Sequence, residues 1–68
     1  MQSQKRTGQN LKKARLKLEL TQAEVAEKAD LSANFYARLE RGEEKASIET
    51  LERVLKVLRV KSSDILPF

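Results

Sequence analysis

The side chains that could do chemistry here are cations, carboxylates and amides, because the 68 residues contain neither cysteine nor histidine. A thiolate nucleophile, a disulfide, a histidine base and a histidine-ligated zinc are therefore excluded. Carboxylates alone can bind a hard cation, but no acidic run has the alternating spacing of a calcium loop. The chain also offers no phosphate loop and no nucleophile–base pair. We therefore expect no enzymatic activity, no metal and no cofactor.

The basic side chains are concentrated near the start of the chain. The net charge is +4 and the isoelectric point is about 9.7. Every charge from Lys5 to Lys17 is positive, whereas the acidic residues come later. This distribution suits a polyanionic partner. A solvated basic face would have the same composition, so the charge alone leaves both interpretations open.

The middle of the chain contains two short helical patterns joined by a tight break. Thr21 and Glu24 have the spacing of a capping box, in which each side chain accepts a hydrogen bond from the other residue's backbone N–H. The apolar residues that follow recur at helical spacing and predict a helix over residues 22–29. Ser32 is the next N-cap, and a second helix is predicted over residues 33–41.

The turn between these two helices is so short that they must cross at a wide angle. Gly42 supplies the left-handed residue that ends the second helix. Tyr36 and Leu39 lie on one face of that helix. On or near its other face lie Ala33, Asn34, Ala37 and Arg38. This geometry is a helix-turn-helix, whose second helix can enter a DNA major groove.

The N-terminal part of the chain predicts one further helix. Residues 1–6 are polar and are expected to be flexible, so the folded domain covers residues 7–68. The helix is predicted to open at Thr7 or Gln9. Its apolar stripe consists of Leu11, Ala14 and Leu18.

The C-terminal part predicts a fourth helix and a short fifth one. Ser47 caps the fourth helix, and Val57 lies off its apolar face. That face consists of Ile48, Leu51, Val54, Leu55 and Leu58. Ser62 caps a last turn over residues 63–66. With no strand pattern anywhere, the fold class is all-α: a bundle of four helices plus a short fifth.

No apolar run approaches the roughly 20 residues that are needed to cross a bilayer. The N-terminus also lacks the apolar core of a signal peptide. We therefore expect a soluble, cytoplasmic protein.

Several motifs occur along the chain in a particular order. They are Leu-x-x-x-Arg over residues 11–15, Leu-Thr-Gln-x-Glu-x-Ala over 20–26, Leu-Ser at 31–32, Leu-Glu-Arg-Gly over 39–42 and Ser-x-x-Thr-Leu over 47–51. Together they make the chain resemble the Cro and phage-repressor type of helix-turn-helix domain. That family comprises small bacterial and phage transcriptional regulators, including the controller proteins of restriction–modification systems. The resemblance implies a lambda-repressor-like fold and sequence-specific binding to double-stranded DNA.

The resemblance also implies roles for individual positions. Gln22 matches a glutamine that is suited to hold a phosphate and to brace the recognition helix. Arg15 and Glu40 match a pair that bridges the first and third helices, so we expect them to be structural. The groove-facing positions of the third helix are Ala33, Asn34, Ala37 and Arg38.

Two positions depart from the family pattern. Glu19 stands where the family usually has glycine at the end of the first helix. It must therefore either adopt a left-handed conformation at some cost or shift the helix end. Ala33 stands where a longer polar side chain often reads a base, which leaves few side chains for direct readout.

The predicted base readers with polar side chains are Arg38 and Asn34. The planar fork of Arg38 suits guanine O6 and N7, and Asn34 can pair with adenine or hold a phosphate. The two alanines offer only methyl groups, which suit a thymine methyl. Phe35 is expected to pack either on the DNA or against the fourth helix. The expected backbone contacts are Gln22, Phe35, Arg41 and Lys45.

One helix-turn-helix reads few bases, so we expect a homodimer on a palindromic operator with half-sites about 34–36 Å apart. The candidates for the dimer contact are Val60, Ile65 and Phe68. Ile65 could instead close the core of the domain. The alternative functions are those of an antitoxin or a protein-binding module with the same fold.

Overall fold

The computed structural model describes residues 3–65, which form five helices. They are α1 (Ser3–Lys17), α2 (Gln22–Lys28), α3 (Ala33–Arg41), α4 (Ile48–Leu58) and α5 (Ser62–Ile65). This range contains no strand, so the all-α prediction of four helices and a short fifth is confirmed. α3 packs against α1 and α2, α4 contacts both of those helices, and α5 contacts α1. No helix in the described range is long and apolar enough to span a bilayer.

The helix-turn-helix is delimited by side-chain caps and one glycine. Thr21 Oγ1 accepts a hydrogen bond from the Glu24 N–H at 3.1 Å, and Glu24 Oε1 accepts one from the Thr21 N–H at 2.8 Å. Ser32 Oγ accepts from the Phe35 N–H at 3.0 Å. Gly42 ends α3 with a φ of 76°. The predicted capping box and the predicted bounds of α3 are confirmed.

α1 begins at Ser3, and the predicted start at Thr7 or Gln9 is therefore wrong. Residues 3–6 belong to the segment that was expected to be flexible, but they are helical. Residues 1 and 2 lie outside the described range. α1 has no acidic residue in its first turn, so the sequence lacks the signal that usually marks a helix start.

Gly8 lies inside α1, where this helix crosses α3. A Cβ atom at Gly8 would lie 2.5 Å from the carbonyl oxygen of Leu39 and would also collide with the carbonyl oxygen of Glu40. The absence of a side chain therefore lets the two backbones approach each other closely. Gly8 is a packing residue in the helix interior and does not mark the helix end.

Within residues 3–65, three turns contain a residue other than glycine with a left-handed backbone. They are Glu19 with φ 57°, Asp30 with φ 60° and Arg59 with φ 59°. At the first of these turns, the Leu20 N–H donates to the Arg15 carbonyl oxygen at 3.2 Å, which closes the end of α1. Glu19 thus adopts the left-handed conformation, the first of the two predicted alternatives.

The apolar core takes residues from all five helices. Its buried members are Leu11, Ala14, Val25, Ala26, Ala29, Tyr36, Leu39, Val54, Leu55, Leu58 and Ile65. Ile48 is 79% exposed, so its predicted place in the apolar face is wrong. It is the first residue of α4, and the helix reaches the core one turn later, at Leu51. Val57, predicted to lie off that face, packs against the core, whereas Leu18 is exposed.

Substituting Glu19→Gly is expected to stabilise the domain by about 0.5–1 kcal/mol, because glycine adopts positive φ without a clash at Cβ. Urea unfolding of the two chains measures the difference. Glu52→Gly is the matched control, since Glu52 lies exposed inside α4. We expect that control to lose about 1 kcal/mol. Destabilisation by Glu19→Gly would contradict the assignment of strain to this turn.

Candidate nucleic-acid interface

α3 presents one face to the core and the other to solvent. Tyr36, Leu39 and Glu40 are buried. The outward surface includes the four predicted base-reading residues, Ala33, Asn34, Ala37 and Arg38. The first two of these are exposed and the other two are half-buried. The structure therefore places one amide and one guanidinium on the same outward surface of a well-anchored helix.

The inner face of α3 is fixed by a buried hydrogen-bonded network. Arg15 Nε lies 2.7 Å from Glu40 Oε2, and Arg15 Nη2 donates to Glu40 Oε1 at 3.1 Å. Arg15 Nη1 donates to the Leu20 carbonyl oxygen at 2.8 Å, and Gln22 Nε2 donates to Glu40 Oε1 at 2.9 Å. The expected structural pair thus meets between α1 and α3, and Gln22 ties the start of α2 to the same carboxylate.

The network keeps the Glu40 carboxylate ionised. Burial acts to raise the pKa of this group, but the hydrogen bonds from Arg15 and Gln22 outweigh it, so the pKa lies below its ordinary value. The pKa of Arg15 is raised by the same contact. Burial next to Glu40 raises the pKa of the Tyr36 phenol, whose hydroxyl has no hydrogen-bond partner among the described residues. In residues 3–65 no group of three acidic side chains could hold a metal ion.

Removing only one partner of the buried pair is expected to destabilise the domain by about 3–5 kcal/mol, because it leaves the other charge buried without compensation. Glu40→Leu and Arg15→Met are the single variants, and the double variant replaces both charges with apolar side chains. We expect the double variant to be more stable than either single variant in thermal unfolding. If the double variant lost as much stability as the two single variants together, this would contradict a direct coupling between the two charges.

The arginines of α3 face carboxylates from the loop that follows the helix. Arg38 Nη2 lies 3.3 Å from Glu44 Oε2, and Arg41 Nη2 lies 3.1 Å from Glu43 Oε1. The hydrogen bond to Arg41 lowers the pKa of Glu43. Lys45 is exposed. Two predicted DNA-contacting cations are therefore paired in this structure.

Sequence reasoning missed these two glutamates. The signal that could have found them is the left-handed Gly42, which turns the chain back so that the Glu43 N–H donates to the Arg38 carbonyl oxygen at 2.9 Å. A residue directly after such a turn lies beside the last turn of the helix. Phe35, the other backbone candidate on α3, is half-buried and packs against the core.

The predicted dimer residues have different surroundings. Ile65 is 2% exposed and belongs to the core, so its assignment to the dimer contact is corrected: it closes the domain. The Asn10 side chain donates to the Ile65 carbonyl oxygen at 2.7 Å and holds α5 against α1. Val60 is half-buried against the core. Phe68 lies outside the described residues.

The family model for helix-turn-helix matches residues 11–65. The chain belongs to this family, in its Cro and phage-repressor type. It is 41% identical over 58 residues to the immunity repressor protein of Bacillus phage phi105. This alignment covers 85% of the chain but only 40% of that relative.

Solved structures share the fold of this helix-turn-helix domain. The restriction-modification controller protein C.AhdI from Aeromonas hydrophila superposes with a TM-score of 0.87 at 21% identity, over 91% of this chain and 94% of that one. The clp gene regulator ClgR from C. glutamicum superposes with a TM-score of 0.86 at 29% identity, over 91% and 80% of the two chains.

Proposed function

We propose that this helix-turn-helix domain binds double-stranded DNA in a sequence-specific way and regulates transcription, with α3 in the major groove. The observation that carries the proposal is the division of α3 into two faces. The inner face is locked to α1 and α2 through Glu40. The outer face exposes Asn34 and part of Arg38. Rigid placement of a few polar groups on a helix is the geometry that base recognition needs.

In this proposal Arg38 contacts guanine O6 and N7, and Asn34 contacts adenine N6 and N7. Ala33 and Ala37 offer methyl groups to a thymine. Each alanine is too short to form a hydrogen bond with its side chain. The identity of the bound sequence therefore depends mainly on two side chains per domain.

Backbone contacts would come from Gln22, Arg41 and Lys45. The Gln22 amide nitrogen uses one hydrogen on Glu40 and has a second one available for a phosphate oxygen. Such contacts fix the position of the domain without reading sequence. Phe35 packs against the core, and we assign it mainly to the scaffold.

We further propose that the protein acts as a cytoplasmic homodimer on a palindromic operator. With only two polar base readers per domain, specific recognition is favoured when two domains each bind one half-site. The half-sites would lie about 34–36 Å apart. The phage immunity repressor and the clp gene regulator among the similar proteins support a regulatory role. Val60 remains the candidate for the dimer contact within the described residues, because Ile65 is buried in the core.

Selection of bound sequences from random duplex DNA at several salt concentrations tests this function. The wild-type chain is expected to enrich a palindrome and to bind more weakly as salt rises. Arg38→Ala and Asn34→Ala should each lose about 5- to 150-fold in affinity for that sequence and relax the base preference at one position per half-site. Fluorescence anisotropy with the selected duplex measures both effects.

Arg53→Ala is the matched control for this experiment. Arg53 is an exposed arginine on α4, so its loss removes the same charge from a different helix. Unchanged specificity in the α3 variants would contradict the assignment of α3 to the major groove. Absence of binding even at low salt would contradict the DNA-binding function and favour a protein-binding module.

A further inference from the structure

The loop after α3 brings two carboxylates back against the two arginines of that helix. Gly42 is left-handed and the Glu43 N–H donates to the Arg38 carbonyl oxygen, so the chain reverses at once. Glu44 then reaches Arg38 and Glu43 reaches Arg41, at 3.3 Å and 3.1 Å between the nearest nitrogen and oxygen atoms. The loop therefore brings these carboxylates next to the surface to which we assign DNA binding.

The two ion pairs differ in their surroundings. The Arg41 and Glu43 side chains are 53% and 55% exposed, so this pair lies in solvent and constrains little. Arg38 and Glu44 are 42% and 35% exposed. Arg38 Nε is fully buried without a partner among the described residues, so any DNA contact of this guanidinium must come from its Nη1 and Nη2 groups. Glu44 Oε2 lies 3.3 Å from Nη2 of the same guanidinium.

We propose that Glu44 is a specificity-determining residue that acts through Arg38, an inference that rests on the proposed function. It holds the guanidinium in place for a guanine and weakens the attraction of the same cation for phosphates of any sequence. Nη1 and Nη2 carry two hydrogens each, so one hydrogen of Nη2 can face Glu44 while its other hydrogen and those of Nη1 remain for guanine O6 and N7.

The physical reason is a difference in charge between the two kinds of target. An unpaired cation attracts the phosphates of any DNA sequence, whereas a carboxylate beside that cation repels them. A guanine carries no net charge, so its contact with Arg38 is weakened far less. Glu44 therefore lowers total affinity while it raises the discrimination between sequences.

Three glutamine substitutions in the full chain separate this effect from a general change of charge. Glu44→Gln tests the Arg38 pair, Glu43→Gln tests the solvent-exposed Arg41 pair, and Glu52→Gln removes a charge from the exposed face of α4. Each variant is titrated against the selected duplex, a scrambled duplex and the three single-base changes at the guanine assigned to Arg38. All titrations are repeated at several salt concentrations.

Glu44→Gln is expected to bind the scrambled duplex about 3- to 10-fold more tightly, with a plot of log K against log salt that is steeper by about 0.9. Its preference for guanine should fall by about 3- to 10-fold. Glu43→Gln should strengthen binding to all duplexes alike and leave the guanine preference unchanged. Glu52→Gln should change neither the affinity for the duplexes nor the guanine preference. A guanine preference that Glu44→Gln leaves intact would overturn the proposal.

Two further variants separate the contact between Glu44 and Arg38 from the change in charge. Glu44→Asp keeps the charge but shortens the reach to Arg38, so it should lose guanine preference without a steeper salt dependence. In an Arg38→Ala background, Glu44→Gln should no longer alter base preference, and a persisting effect would overturn the proposal. A wild-type chain that binds no duplex contradicts the proposed function, whereas wild-type binding with no effect of Glu44→Gln on guanine preference contradicts only the role of Glu44.

Discussion

The carboxylate of Glu40 is a buried negative charge, and the arrangement of the first three helices depends on how that charge is satisfied. It accepts hydrogen bonds from Arg15 on α1 and from Gln22 at the start of α2. Arg15 in turn binds the carbonyl oxygen of Leu20, in the turn between those helices. Because a buried charge without partners is strongly unfavourable, this network holds α3 in one orientation relative to α1 and α2. Gly8 completes the anchorage by allowing close backbone contact.

The sequence predicted the helix-turn-helix well because its boundaries are set by local interactions. Thr21, Ser32 and Gly42 each act within one turn of their own position, and each does so in the structure. The predicted start of α1 was wrong because no local signal in the sequence marks the true start. Ile48 was misplaced because helical periodicity does not tell where along a helix the core begins.

A pattern of residue types does not predict which ion pairs form on the surface of α3. The sequence identifies Arg38 and Asn34 as outward polar residues, but ion pairing depends on where a neighbouring loop returns in space. Glu44 reaches Arg38 only because the chain reverses at the left-handed glycine. In the proposed DNA complex, the small number of polar base readers and the carboxylate beside one of them imply modest affinity per domain. This is why we propose a homodimer, which would use the same surface twice.

Amide chemical-shift mapping of the isotope-labelled chain, titrated with its selected duplex, tests most directly whether α3 is the DNA-reading element. We expect the largest shifts at residues 33–38 and at Gln22, with small shifts on the exposed face of α4 around Arg53. The buried amides near Glu40 should keep their pattern, because the network does not rearrange. Shifts concentrated on α1 or α4, with residues 33–38 unaffected, would contradict the assignment of α3 to the major groove.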